Sequence, residues 1–161
     1  MIKLIKTLTT LLTAAALSLT GLGIANAETL PATMGSAQDP TKVGCFRSDI
    51  VGGFVTNFST SASCLNNNLW FIGMPNNTFN LNKNAAFTMR ATSLAQGTNC
   101  RIRARSQNQL VTASSSFAQV TAINTWQTFV TSTVSVPSGS YLFADCSIPQ
   151  NSSVSVVTYT P

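Results

Sequence analysis

"CRIRAR", residues 100–105, puts a cysteine, an isoleucine and an alanine on one parity and three arginines on the other. A period of two is the repeat of a β-strand whose faces meet different surroundings. A second stretch, "YLFADCSI" at 141–148, carries another cysteine. If Cys100 bonds Cys146 across neighbouring antiparallel strands, directly opposed positions have numbers that sum to 246. Ile102 then faces Ala144 and Ala104 faces Leu142 on the cysteine side. On the other side Arg101 faces Asp145, Arg103 faces Phe143 and Arg105 faces Tyr141. One side is small and apolar; the other sets arginines against a carboxylate and two rings, all favourable cross-strand partners. A slip of one residue would set each strand's apolar side against the other's polar side.

Outward from this pair the chain reads the same way. Short alternating runs bounded by Gly, Pro, Asn or Ser lie at 53–58, 69–73, 86–92, 100–105, 117–121, 128–136, 141–148 and 153–159, with no sustained helical period. About eight short strands in one chain predict an all-β, antiparallel β-sandwich of jelly-roll type. Asn-rich "LNNNL" (65–69) and "MPNNTFNLNKN" (74–84) read as turns, because Asn tolerates left-handed backbone. The sequons at Asn57, Asn76 and Asn151 read as turn chemistry too.

Lys3 and Lys6 precede an apolar run from Leu8 to Ile24 that ends in Ala25-Asn26-Ala27. This is the pattern of a secretory signal peptide over 1–27, which makes 28–161 a single exported domain, extracellular or periplasmic. Residues 28–42, with "QDPTK" at 38–42, read as a lead-in loop or a mobile N-terminal arm. No later segment is apolar for long enough to cross a bilayer as a helix, so no transmembrane segment is expected in the mature form.

Four cysteines (45, 64, 100, 146) in an exported chain read as two disulfides, with three connectivities open. Their spacing is not that of a zinc site, and the chain has no histidine. No metal or other cofactor is expected. The absence of histidine also removes Ser-His-Asp and Cys-His machinery in cis. Outside the leader the carboxylates are Glu28, Asp39, Asp49 and Asp145. A glycosidase needs two across a cleft, and the register above already gives Asp145 to Arg101. Lys42 or Lys83 could in principle serve a serine, but no Ser-x-x-Lys spacing occurs, and "VGGF" at 51–54 lacks a phosphate loop's spacing and lysine. The chain is therefore read as non-catalytic.

With Lys3 and Lys6 set aside, seven basic side chains stand against four acidic ones, a formal charge of +3. That is too weak for a nucleic-acid footprint but suits anionic envelope polymers. Three readings of the arginines follow. They are a solvated strand face; or Arg101, Arg103 and Arg105 with Tyr141 and Phe143 form a binding surface for extracellular glycan or an anionic polymer; or the face is buried under a loop or a partner chain. Rings stack on sugar faces, and guanidinium grips carboxylate or sulfate bidentately. Trp70, within "LWFIG", reads as buried. Trp126, within "INTWQT", reads either as a core-edge anchor or as a stacking platform that joins the candidate binding residues. The alternative function is a self-associating envelope or surface component.

"YLFADCSIPQNSSVSVVTY" (141–159), through Tyr141, Cys146, Ile148, Pro149 and Tyr159, resembles the closing segment of a loosely defined group of small exported bacterial β-sandwich proteins. "GFVTNFS", with Gly53, Asn57 and Ser59, resembles that group's early strand and turn. The resemblance implies a disulfide-bearing sandwich and carries no activity with it. The group places a Cys-Pro near the end of its second strand, where this chain has Met74-Pro75 with Cys64 upstream. That departure leaves the pairing of Cys45 with Cys64 open.

Overall fold

The computed structural model describes residues 27–161 except positions 59, 66–67, 77–80, 96 and 109. The expected leader at 1–27 lies outside the described residues but for Ala27, as do Ser59 and parts of both Asn-rich turns. The strands are β1 Glu28–Pro31, β2 Ser36–Ala37, β3 Phe46–Asp49, β4 Phe54–Asn57, β5 Leu69–Met74, β6 Asn82–Lys83 and β7 Ala85–Arg90. They continue with β8 Asn99–Arg105, β9 Val111–Ser114, β10 Ala118–Gln119, β11 Gln127–Val130, β12 Val134–Ser135, β13 Tyr141–Ser147 and β14 Ser153–Tyr159.

Two antiparallel sheets face each other. The first runs β11-β7-β14-β4-β3 with β1 also paired to β14; the second runs β10-β8-β13-β5-β2 with β9 also paired to β8. A two-stranded ribbon joins β12 to β6. Alternation builds the core: Val55, Phe87, Met89, Val154 and Val157 come from the first sheet, and Ile72, Ile102, Ala104, Leu142 and Ala144 from the second, all buried. Cys100 and Cys146 sit among them, bonded, with Cα atoms 4.1 Å apart. That is the short spacing of a non-hydrogen-bonded antiparallel pair. Cys45 is bonded to Cys64 at a Cα separation of 5.4 Å.

All eight expected strands are present, with differences that have physical causes. The run 128–136 is two strands, not one. The chain turns at buried Thr131, whose hydroxyl accepts the Ala85 N–H at 3.2 Å, so β11 stays in the first sheet and β12 leaves for the ribbon. Five further strands (β1, β2, β3, β6, β9) have two to four residues each, too few for a period to show. Three of them, β1, β2 and β3, lie before residue 50. The segment 28–42 includes β1 on β14 and β2 on β5. Between them Gly35 runs so close to β5 that a Cβ there would lie 2.3 Å from Trp70 Nε1 and 2.4 Å from the Phe71 carbonyl oxygen. Trp70 is buried, as its flanks suggest, and its indole N–H donates to the Ala32 carbonyl at 2.8 Å.

A buried amide ties the disulfide loop to the β13–β14 turn. Asn57 Nδ2 donates to the carbonyls of Cys64 and Ile148, both at 2.9 Å, and Asn68 Nδ2 reaches the same Cys64 carbonyl at 2.7 Å. The two lysines weighed as serine partners are committed elsewhere. Lys83 is buried and donates to the Pro161 carbonyl at 2.5 Å, and Lys42 donates to the Ser63 carbonyl. Burial holds the Lys83 amine below the usual lysine range.

Candidate ligand-binding face

β8 and β13 pair with Arg101 opposite Asp145, Arg103 opposite Phe143 and Arg105 opposite Tyr141. The side chains do not follow their Cα partners. Arg101 Nε donates to Asp145 Oδ2 at 3.2 Å, and Arg103 turns away from Phe143 to bring its Nε within 3.1 Å of the same oxygen. Arg105 crosses instead to Phe143, its guanidinium carbon 4.9 Å from the ring centroid and 5.8 Å from that of Phe71. Arg101 lies 4.4 Å over Phe117. All three separations are within cation–π range.

The face is accordingly not the solvated strand face that two strands alone suggest. Arg101 and Arg103 side chains are only 23% and 20% exposed, and the Asp145 carboxylate is buried. The covering groups come from neighbours that a two-strand reading lacks. β5 supplies Phe71, edge-on to Phe143 at 5.3 Å, and the β9–β10 loop supplies Phe117. The cluster keeps a net positive charge, because three guanidiniums stand against one carboxylate, which pairs with two of them.

Two depressions remain open. One, of about 370 Å3, is lined by Asn99, Arg101, Phe117, Asp145 and Ser147. The other, of about 300 Å3, lies between Ser36, Phe71, Gly73, Arg105 and Tyr141. Gly73 stands opposite Phe143, exposed, and a Cβ at that position would touch nothing. Tyr141 is 46% exposed. The arrangement offers an apolar floor, a ring at its edge and a guanidinium beside it.

Trp126 does not belong to this face. It precedes β11 at the edge of the first sheet and packs on Phe54 of that sheet, with ring centroids 5.7 Å apart. Its position in the sequence carried no information about which sheet its strand would join. Conversely, sequence reading missed Phe71 and Gly73 as surface residues. The signal was present, since both share a parity opposite to buried Trp70 and Ile72. Asp49 and Asp145, the one pair considered for glycoside cleavage, lie on different sheets. Among the described residues no cluster of three potential metal ligands occurs.

The fold and this face together define a disulfide-stapled antiparallel β-sandwich with an arginine- and aromatic-lined outer sheet. No family and no curated protein matches the sequence. Among solved structures the chain is similar to the C-terminal CBM6 of LamC, a marine laminarinase from Zobellia galactanivorans, at TM-score 0.54 and 16% identity. That match covers 84% of this chain and 100% of the module, and it is a likeness of fold. The enzymatically active domain of tailspike protein 4 of bacteriophage CBA120 matches at TM-score 0.49 and 14% identity over 83% of this chain and 19% of that one.

Proposed function

We propose that the chain is an exported, non-catalytic binding module that takes an anionic saccharide chain along the outer face of the second sheet. The observation that carries this reading is the open groove at Gly73, edged by Tyr141 and Arg105. A pyranose laid there would rest its apolar C–H face on Tyr141, while Arg105 offers donors to a carboxylate or sulfate. The architecture it shares with a carbohydrate-binding module supports the reading, as do two disulfides, which persist in oxidising compartments. The test is a glycan array followed by polysaccharide titration of the exported protein and of Tyr141→Ala, Arg105→Ala and Gly73→Val. Each variant is expected to weaken binding about tenfold or more, Gly73→Val by filling the groove without a clash. Binding indifferent to all three would overturn the assignment of this face.

A second reading, a self-associating surface component, is favoured by the exposed apolar groups along one end of the first sheet: Ile50 and Val51 at the β3–β4 turn, and Val130 on edge strand β11. Unpaired edges template further pairing. Light scattering at high concentration separates the two readings, since a strict monomer sinks the second.

A further inference from the structure

The described arginines are not equally occupied. On the second sheet Arg101 and Arg103 are held by Asp145, and Arg105 lies over rings. On the first sheet Arg47 and Arg90 are exposed, and neither guanidinium has an ion-pair, hydrogen-bond or ring partner among the described residues. No carboxylate lies within ion-pair distance of either among the described residues, although Asp49 keeps its charge and lines the same groove as Arg47. Glu28 accepts the Tyr159 hydroxyl, Asp39 accepts from Thr41, Asp145 is taken as above, and Asp49 spends an oxygen on the Gly52 N–H at 2.8 Å.

Register places these two cations at the ends of one row. Arg90 on β7 opposes Ser153 on β14, Ser153 opposes Thr56 on β4, and Thr56 opposes Arg47 on β3. Directly opposed residues point to the same side, and Val55 and Val154, their chain neighbours, point into the core. The row therefore reads Arg–Ser–Thr–Arg on the outer side of the sheet, with Ser153 itself buried and the two arginines exposed at its ends, and its Cα atoms span three strand spacings, about 14 Å. At its centre the Ser153 and Thr56 hydroxyls are 2.7 Å apart. Beside it the rings of Phe54 and Trp126 meet, drawn from β4 and from the approach to β11, strands that are not neighbours in the sheet. A groove of about 610 Å3 runs along the β3–β4 side, lined by Arg47, Asp49, Phe54, Thr56 and Phe58.

We infer that this outer face of the first sheet is a second site for an anionic saccharide chain, separate from the groove at Tyr141. Two exposed arginines with Cα atoms about 14 Å apart, neither ion-paired among the described residues, suit a repeating anion better than a single small one. Phe54, Trp126 and Phe58 present ring surface to sugar C–H faces. An uncharged apolar occupant would leave Arg47 and Arg90 without an anion, which a polyanion supplies. The site shares the ligand class proposed above but none of its residues. With sites on opposite sheets, one molecule would bridge two polymer strands.

Trp126 makes the site observable by itself, because it is 40% exposed while Trp70 is 6% exposed. The exported protein is titrated with a polyuronate oligomer, and in parallel with a neutral glucan of equal length, while acrylamide quenching of tryptophan fluorescence is followed. Polyuronate is expected to protect Trp126, and Arg47→Gln with Arg90→Gln should weaken that protection tenfold or more with an unchanged denaturation midpoint. Tyr141→Ala should leave it intact. Unchanged quenching while Tyr141-dependent binding persists would overturn this inference and leave the first site standing. Protection that survives in Tyr141→Ala, with no binding lost in that variant, would support this site and remove the other. Equal protection by the neutral glucan would overturn the anionic assignment. Long polyuronate should turn turbid with the wild type and stay clear with either single-face variant.

Discussion

Asp145 accepts the Nε–H of Arg101 from directly across the β8–β13 pair at 3.2 Å, and it does so with its carboxylate buried. The second sheet's outer face is thus organised around one nearly buried anion at the bottom of a depression.

Removing that anion should cost more than removing either cation. Asp145→Ala strands two guanidiniums that are partly covered, and breaking a buried pair this way costs about 3 kcal/mol or more. Arg103→Ala leaves Asp145 still bonded to Arg101 and should cost about 1 kcal/mol, near the value of a partly exposed pair. Ile102→Ala, on the core side of the same strand, should cost about 2–4 kcal/mol through lost methylenes and a residual cavity. Denaturation midpoints of the three variants rank them; Arg103→Ala as the most damaging would contradict the shared-anion arrangement.

The two bridges should differ in worth. By the chain-entropy relation, the Cys100–Cys146 loop contributes about 4 kcal/mol and the Cys45–Cys64 loop about 3 kcal/mol. Non-reducing peptide mapping should find these two linkages and no free thiol, and the double-alanine variant of each pair measures its share. A Cys45–Cys100 peptide would contradict the fold.

Gly35→Ala should be destabilising although Gly35 adopts an ordinary negative φ, because its Cβ would press on Trp70 Nε1 and the Phe71 carbonyl. Overpacking of this kind costs about 1–3 kcal/mol. The Trp70 indole would also lose its bond to the Ala32 carbonyl, so a red-shifted emission should accompany the lower midpoint. Gly73→Ala, with open space around it, should leave stability within about 0.5 kcal/mol.

Alkaline stability should depend on Tyr159. Burial, then its hydrogen bond to Glu28 and that residue's charge, hold the phenol above its ordinary value of 10.0. A pKa raised in the folded state contributes stability that is present below the unfolded pKa and lost as pH rises through the folded one. The midpoint should therefore fall as pH climbs past 10, and Tyr159→Phe should show a shallower fall over the same range. Lys83, with its folded pKa lowered, contributes the opposite slope below its ordinary 10.5, so the comparison is made between variant and wild type at each pH.

Polymer binding should weaken as salt rises, because the formal charge outside the expected leader is only +3 and screening lengths fall to about 8 Å at physiological ionic strength and shorten beyond it. Salt-independent affinity measured by titration would point to stacking alone.

How much of this was legible in the sequence depends on how far each contact reaches. The β8–β13 register was legible because two cysteines and an alternation of Ile and Ala with Arg constrain it jointly; any slip scrambles both faces. Arg103's preference for Asp145 was not, since a two-strand register fixes Cα partners and not side-chain direction. Nor were the further rings over Arg101 and Arg105, Phe117 and Phe71, which arrive from the β9–β10 loop and from β5. Trp126 illustrates the same limit: its strand borders β7 through a register that no local pattern announces. The division of 128–136 turned on the Thr131 hydroxyl meeting the Ala85 N–H, a long-range bond that a strand-like composition conceals.

Glu28 lies directly opposite Tyr159 in the β1–β14 pairing, so the described chain leaves and returns at nearly one point. Opposed Cα atoms in such a pair are about 5 Å apart. A short linker could close the backbone into a ring there, and new ends could be opened between exposed Gln107 and Asn108, in the turn after β8. The permuted chain would keep both sheets and both bridges while moving its attachment point from the first sheet to the turn after β8 on the second, which would let the molecule be mounted on a support by either sheet.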